Sequence, residues 1–198
     1  MTLALQSPFE KFREVWDRAE RLAPPPPADH HAVTLATADG AGRPSARVVL
    51  LRGFDDEGFL FYTNYASRKA REITLNPHAA LCFYWHWTEE QVRIEGAVVR
   101  ASREESDAYF RSRPRGNQIG AWASQQSQPL SSREELEARV ASVERDFAGR
   151  EVPRPEFWGG FRLVPDRFEF WKAAESRLHD RSVFARVGSA WTESLLYP

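Results

Sequence analysis

Apolar residues along the chain follow two rhythms, and a run of prolines separates them. In SPFEKFREVWDRAERL, Phe9, Phe12, Trp16, Ala19 and Leu22 recur at helical spacing. Ser7 and Glu10 make a capping box with Pro8 at the first helical position, so a helix is predicted to start there. APPPPADHH ends it and forms a short stiff linker. Beyond the linker the period drops to two. AVTLATA, SARVVLLRGF, GFLFYTN, AALCFYW and QVRIEGAVVRA are β-branched and aromatic runs, several of them separated by turns such as DGAGRP and DDEG. In the last run Val92, Ile94, Gly96 and Val98 alternate with Gln91, Arg93, Glu95 and Ala97, the pattern of a half-buried strand. Turns this short join antiparallel neighbours, and many such strands predict a barrel or sandwich.

Helical spacing returns in three places. SRKAREITL falls between two strands, and SREESDAYFRS carries a second capping box, Ser102 with Glu105. SSREELEARVASVERDF is amphipathic, with Leu136, Val140, Val143 and Phe147 on one side. EVPRPEFWGG reads as a loop, and GFRLVPDRFEFWKA returns to strand. The predicted class is mainly β (α+β), an antiparallel barrel with peripheral helices. Its length suits one domain over 1–198, with helix and linker over 1–31 and the barrel over 32–198.

Composition narrows the function. A formal net charge of -1 argues against broad nucleic-acid binding, so any anion site must be a local cluster of Arg and Lys. The single cysteine, Cys82, excludes an intramolecular disulfide and a cysteine-rich zinc site; within AALCFYW it reads as a small buried hydrophobe. His30 and His31 are adjacent, poor geometry for sharing a metal, and read as solvated loop histidines. No metal site is expected. Neither a secretory leader nor a membrane span is legible, which predicts a cytoplasmic protein. Seven Trp suit a protein that covers a flat ring or a large subunit interface.

Phosphate-loop, HExxH, GxSxG and paired-Cys signatures are missing from the sequence. The remaining chemistry lies in arginines beside aromatics and amides. Arg47 and Arg52 bracket the strand RVVLLR, and YTNYASRK places Tyr62, Thr63, Arg68 and Lys69 at a strand end and helix start, where a phosphate would meet cations and free N–H groups. A solvated Arg–Lys pair is the plainer alternative there. In AYFRSRPRGNQIGAWASQQSQ, Tyr109 and Arg113 share one face of a helix end. Pro114 restarts the chain, Gly116 and Asn117 offer N–H groups to an anion, and Gln126 and Ser127 follow in a polar loop.

Five segments in register, RVVLLRGFDDEGFLFYTNYASRKAREITLNP, QVRIEG, SRPRGNQIGAWASQQSQ, FWGGFRLVPDRFEFW and RLHDR, resemble the pyridoxine 5'-phosphate oxidase family of flavoenzymes. The resemblance implies an FMN-binding split β-barrel and a homodimer with FMN at its interface. It also implies oxidation of pyridoxine or pyridoxamine 5'-phosphate to pyridoxal 5'-phosphate, with oxygen reduced to hydrogen peroxide. Carried over by motif, the FMN contacts would be Arg47, Val48, Val49, Leu50, Leu51, Arg52, Tyr62, Thr63, Arg68, Lys69, Gln91, Gln126, Ser127, Trp171 and Arg181. The substrate contacts would be Arg52, Tyr109, Arg113, Asn117, Arg177, Leu178 and His179, with Arg177 and His179 as the catalytic pair.

Four departures from the family pattern stand out. Arg52 replaces the usual Lys, and Asn117 the usual Ser. The N-terminus lacks the basic, Tyr-containing segment that covers the substrate in some relatives, and the usual Arg-Leu-x-Pro ending appears as Leu195-Leu196-Tyr197-Pro198. Two alternatives stay open: a flavin oxidase of another aromatic substrate, of the phenazine-biosynthesis type, and a non-catalytic carrier or sensor of flavin or pyridoxal phosphate. Two geometric expectations follow from strand periodicity. Arg47 and Arg52, an odd number of residues apart, should point to opposite faces of one strand. If RLHDR is extended, Arg177, His179 and Arg181 share a face.

Overall fold

The computed structural model describes residues 7–26 and 28–198. The chain before Ser7 lies outside the described residues, so the expectation about a missing N-terminal covering segment is not addressed there. Helix α1, Pro8–Arg21, begins at the capping box: the Ser7 side chain accepts from the Phe9 N–H, and Glu10 accepts from the Ser7 N–H. Phe9, Phe12, Val15, Trp16 and Ala19 are its buried face, whereas Leu22 is the exposed cap residue rather than a core position.

Nine strands form one antiparallel sheet among the described residues. They are β1 (Ala32–Ala38), β2 (Pro44–Leu50), β3 (Gly53–Asp55), β4 (Gly58–Asn64), β5 (His78–Trp85), β6 (Glu90–Arg100), β7 (Trp158–Lys172), β8 (Asp180–Val187) and β9 (Ala190–Leu195). The main path is β2-β1-β5-β6-β7-β4-β3. β7 splits the sheet: its first half pairs with β4, its second half with β8, while β6 runs along both. A bulge between Glu95 and Gly96 bends β6 where the halves diverge. A side chain at Gly96 would collide with the Val164 carbonyl, so only glycine allows the two backbones this close. The sheet curls into a half-barrel around Leu35, Phe59, Phe61, Leu81, Phe83, Ile94, Leu163, Phe168 and Phe184, and the α1 face closes it.

Among the described residues four more α-helices lie outside the barrel: α2 (Arg68–Leu75), α3 (Arg103–Ser112), α4 (Arg115–Ala123) and α5 (Arg133–Asp146). The second capping box starts α3 as expected. Phe110, Ile119, Val152 and Trp158 make a satellite core against which Val140, Val143 and Phe147 pack. Arg162, 9% exposed, ties α3 to the sheet by bonding Asp55 and, at 2.8 Å, Glu105.

Several expectations change. SARVVLLRGF is two strands, not one, broken at Leu51 and Arg52. Helix α4 and the β8–β9 hairpin, with Gly188 at φ 62°, were not anticipated. His30 and His31 are half-buried rather than solvated, edge-on to Trp16 at 4.8 and 5.3 Å. Cys82 is half-buried, and burial raises its thiol pKa. RLHDR is not extended throughout: Ser176 and Arg177 take φ of 55° and 61° in a single 3-10 turn, and pairing with β7 begins only at Asp180. Left-handed backbone at two successive residues breaks the two-residue alternation, so the three basic residues do not form one row.

Candidate active site

A cleft of about 900 Å³ opens between β2, β4, the start of α2, and α3–α4. Arg47, Val48, Val49 and Leu50 of β2 line it, and so does Arg52. Because the strand ends at Leu50, the alternation stops before Arg52 and both arginines reach the same cleft, contrary to the opposite-face expectation. Tyr62, Thr63 and Asn64 enter from β4 and Lys69 from α2; Tyr109 and Arg113 come from the end of α3, and Asn117 and Gln126 from α4 and its following loop.

Packing fixes these groups. Tyr62 stacks on Tyr109 at 4.0 Å and on Trp158 at 5.7 Å, and the Arg113 guanidinium lies over the Trp158 ring at 4.6 Å. Gly160 makes room for this stack: a side chain there would press against the Tyr62 ring at 2.8 Å. Lys69 Nζ donates to Thr63 Oγ1 at 3.2 Å and Gln126 Oε1 at 3.3 Å, and the Thr63 hydroxyl donates to the same Gln126 oxygen at 2.9 Å.

The electrostatics are one-sided. Arg47, Arg52, Lys69 and Arg113 line the cleft, with no Asp or Glu among the described lining residues. Burial, then the neighbouring Arg47, lowers the Lys69 pKa. Burial also lowers that of Arg113; Tyr109 opposes this and Arg52 adds to it. Among the described residues Arg113 Nη1 is buried without a hydrogen-bond partner. A buried guanidinium N–H left unpaired is costly, and an anionic oxygen is the group that would satisfy it.

A second cleft, about 460 Å³, lies between α1, β6, β7 and β8 and holds Gln91, Trp171, His179 and Arg181. Trp171 and His179 pack with ring centroids 4.6 Å apart. The His179 Nδ1 accepts from the Ala174 N–H at 3.3 Å, so a neutral ring carries its proton on Nε2. Arg181 bonds Glu169 at 2.6 and 3.0 Å and the Tyr197 carbonyl at 2.9 Å. Here the charges balance: Lys11, Arg18, Lys172 and Arg181 face Glu14, Glu90, Asp180 and Glu193.

The candidate residues thus fall into two groups, and a few fall outside both. Leu51 is core, 1% exposed. Arg68, Ser127, Arg177 and Leu178 are exposed and line neither cleft. The Asn117 N–H is not offered to an anion: it donates to the Pro114 carbonyl as the first turn of α4 forms. Trp158, Ser112 and Ser124 line the first cleft without having been anticipated, and α1 contributes Lys11 and Arg18 to the second. The FWGG motif, a tryptophan beside two glycines, was the signal for Trp158.

Residues 25–145 match the family described as pyridoxamine 5'-phosphate oxidase, and residues 158–198 match the pyridoxine 5'-phosphate oxidase C-terminal dimerisation region. The pyridoxine/pyridoxamine 5'-phosphate oxidase of Myxococcus xanthus strain DK1622 is 58% identical over 96% of this chain and 91% of its own. The enzyme of the same name from Rubrobacter xylanophilus is 56% identical, covering 96% and 87%. Among solved structures, PhzG from Burkholderia lata 383 in complex with tetrahydrophenazine-1-carboxylic acid superposes with a TM-score of 0.90 at 34% identity, over 97% of this chain and 93% of that one. A pyridoxamine 5'-phosphate oxidase-related, FMN-binding protein from Nostoc punctiforme PCC 73102 shares the fold with a TM-score of 0.76 at 19% identity, over the full length of both. With sequence, fold and the composition of both clefts in agreement, the chain belongs to the pyridoxamine 5'-phosphate oxidase family.

Proposed function

We propose that the chain is an FMN-dependent oxidase of pyridoxine and pyridoxamine 5'-phosphates that hands electrons to molecular oxygen. One observation carries this: among the described residues the cleft is lined by four cations and no carboxylate, and a buried Arg113 nitrogen lacks a partner. Both the cofactor and the substrate bring a phosphate, and such a cleft offers each a set of cations. Arg47, Lys69 and the α2 N-terminus fit the FMN phosphate, with Arg68 beside them at the first position of the helix. Arg52, Tyr109 and Arg113 fit the substrate phosphate. FMN, when bound, supplies the hydride-accepting chemistry. The chain's own residues hold and align the substrate: the Tyr62–Tyr109–Trp158 stack keeps Arg113 flat, and His179 presents its Nε2–H beside Trp171.

The two clefts become one site if the chain forms a homodimer in which the first cleft of one protomer faces the second cleft of its partner. Trp171, His179 and Arg181 all lie within the stretch matching the family's dimerisation region, which supports that arrangement. Among the described residues no helix is long and apolar enough to cross a membrane. The likeness to PhzG favours one competing substrate, a reduced phenazine carboxylic acid. Purified protein should release FMN on denaturation, and should take up oxygen and form peroxide with either B6 phosphate. Turnover of a tetrahydrophenazine carboxylic acid in preference to both, or release of no FMN after reconstitution, would overturn the assignment.

A further inference from the structure

Beneath the cationic cleft lies a carboxylate that the binding residues do not include. Glu72, 5% exposed, projects from α2 toward β1 and β2. Its Oε2 accepts from Thr37 Oγ1 and Ser45 Oγ, each at 2.5 Å, and from Arg47 Nη2 at 3.3 Å. Its Oε1 accepts from Arg68 Nε at 2.7 Å. The same two hydroxyl oxygens accept from Arg47: Nη1 donates to Thr37 at 2.5 Å and Nη2 to Ser45. Nη1 also donates to the Leu35 carbonyl at 3.2 Å. Both terminal nitrogens of Arg47 are therefore committed to the protein wall, directly or through hydroxyls whose protons go to Glu72. Arg68 is engaged only through Nε among the described residues, and its terminal nitrogens remain available.

Resting on the FMN reading above, we infer that Glu72 is a positioning residue that anchors Arg47 in the wall as a fixed positive charge and orients Arg68 so that its terminal nitrogens can donate to the flavin phosphate. Burial pushes its carboxyl pKa up, but hydrogen bonds from Ser45, Thr37 and Arg68 outweigh that and hold it at about 2, so it stays charged wherever the enzyme works. A buried negative charge beside a phosphate site invites the opposite expectation, simple repulsion. The geometry decides against it, because both carboxylate oxygens face donors that they orient, and an unanchored arginine loses rotamer entropy on meeting a ligand.

Dissociation constants of FMN and of riboflavin, which lacks the phosphate, should be measured by flavin fluorescence for the full chain freed of flavin. Wild type, Glu72→Gln and Glu72→Ala are compared. Glu72→Ala is expected to weaken FMN about 10-fold or more while riboflavin shifts by less than about twofold, with Glu72→Gln intermediate. Tighter FMN binding in either variant means that Glu72 repels the phosphate, and overturns the inference. So does a parallel loss of both flavins, the mark of a merely structural role, or no change in either. If Glu72→Ala does not fold, the Gln variant decides by the same criteria. A wild-type protein that binds riboflavin as well as FMN would instead overturn the phosphate-site reading itself, and the inference with it.

Discussion

The two clefts contain the same number of basic side chains, yet they treat them differently. In the first, Arg52, Lys69 and Arg113 face the opening without a carboxylate among them. In the second, each arginine is already paired: Arg18 grips the buried Glu90 at 2.6 and 2.9 Å, and Arg181 grips Glu169, 3% exposed. A paired arginine holds structure and presents a shaped, near-neutral wall, whereas an unpaired and partly desolvated one stores binding capacity. On the proposed function, the first cleft would take the phosphates and the second would take a flat ring bordered by Trp171.

The sharpest break between them should come from removing one arginine on each side. Arg181→Ala leaves Glu169 buried with only Arg93, at 3.2 Å, to offset it. Its stability should fall by about 3 kcal/mol, the low end for breaking a buried pair, read as a lower urea midpoint in the flavin-free protein. Arg113→Ala should do the reverse. Its flavin-free stability should hold or rise, since a buried nitrogen without a partner is removed. kcat/KM for the B6 phosphates should drop by about 1.5–3 kcal/mol, through KM, with FMN content unchanged. If both variants lose stability alike, the distinction between the clefts fails.

The difference between the clefts was only partly legible in the sequence. Tyr109 with Arg113, the YTNYASRK junction and both capping boxes could be read because their spacing is local. The alternation of β6 was readable for the same reason. What sequence could not supply was pairing across the fold. Glu72 meets Thr37, Ser45 and Arg47 only when α2 folds back over β1 and β2, and Glu169 meets Arg181 only across the β7–β8 ladder. RLHDR failed for a related reason: the positive φ of Ser176 and Arg177 serves the turn between two long strands, and neither residue type advertises it. The break at Leu51 and Arg52 was hidden because Leu51 is apolar enough to continue the strand, although it turns into the core.

A smaller effect separates the clefts by pH. Glu72 has its folded-state pKa depressed from 4.5 to about 2, so the stability it contributes is complete above about pH 4.5 and is lost as pH falls toward 2. Glu72→Gln should therefore show a shallower loss of stability across that window than wild type, with the two curves parallel above it. Acid denaturation followed by circular dichroism checks this; equal slopes would mean that the carboxylate is not held as the hydrogen bonds indicate.

The central claim is that the phosphate cleft of one protomer works with the ring cleft of its partner. Mixed dimers test it directly. Arg113→Ala and His179→Ala protomers, each impaired as homodimers when substrate is held well below KM, should be co-expressed with different affinity tags and the heterodimer isolated and assayed at that concentration. If the site is shared between protomers, one of its two sites regains both wild-type side chains and the other loses both. Activity should then return to about half the wild-type rate, as two-fold symmetry requires. If both clefts of a single protomer make the site, every site carries one substitution, and the heterodimer should stay as impaired as its parents.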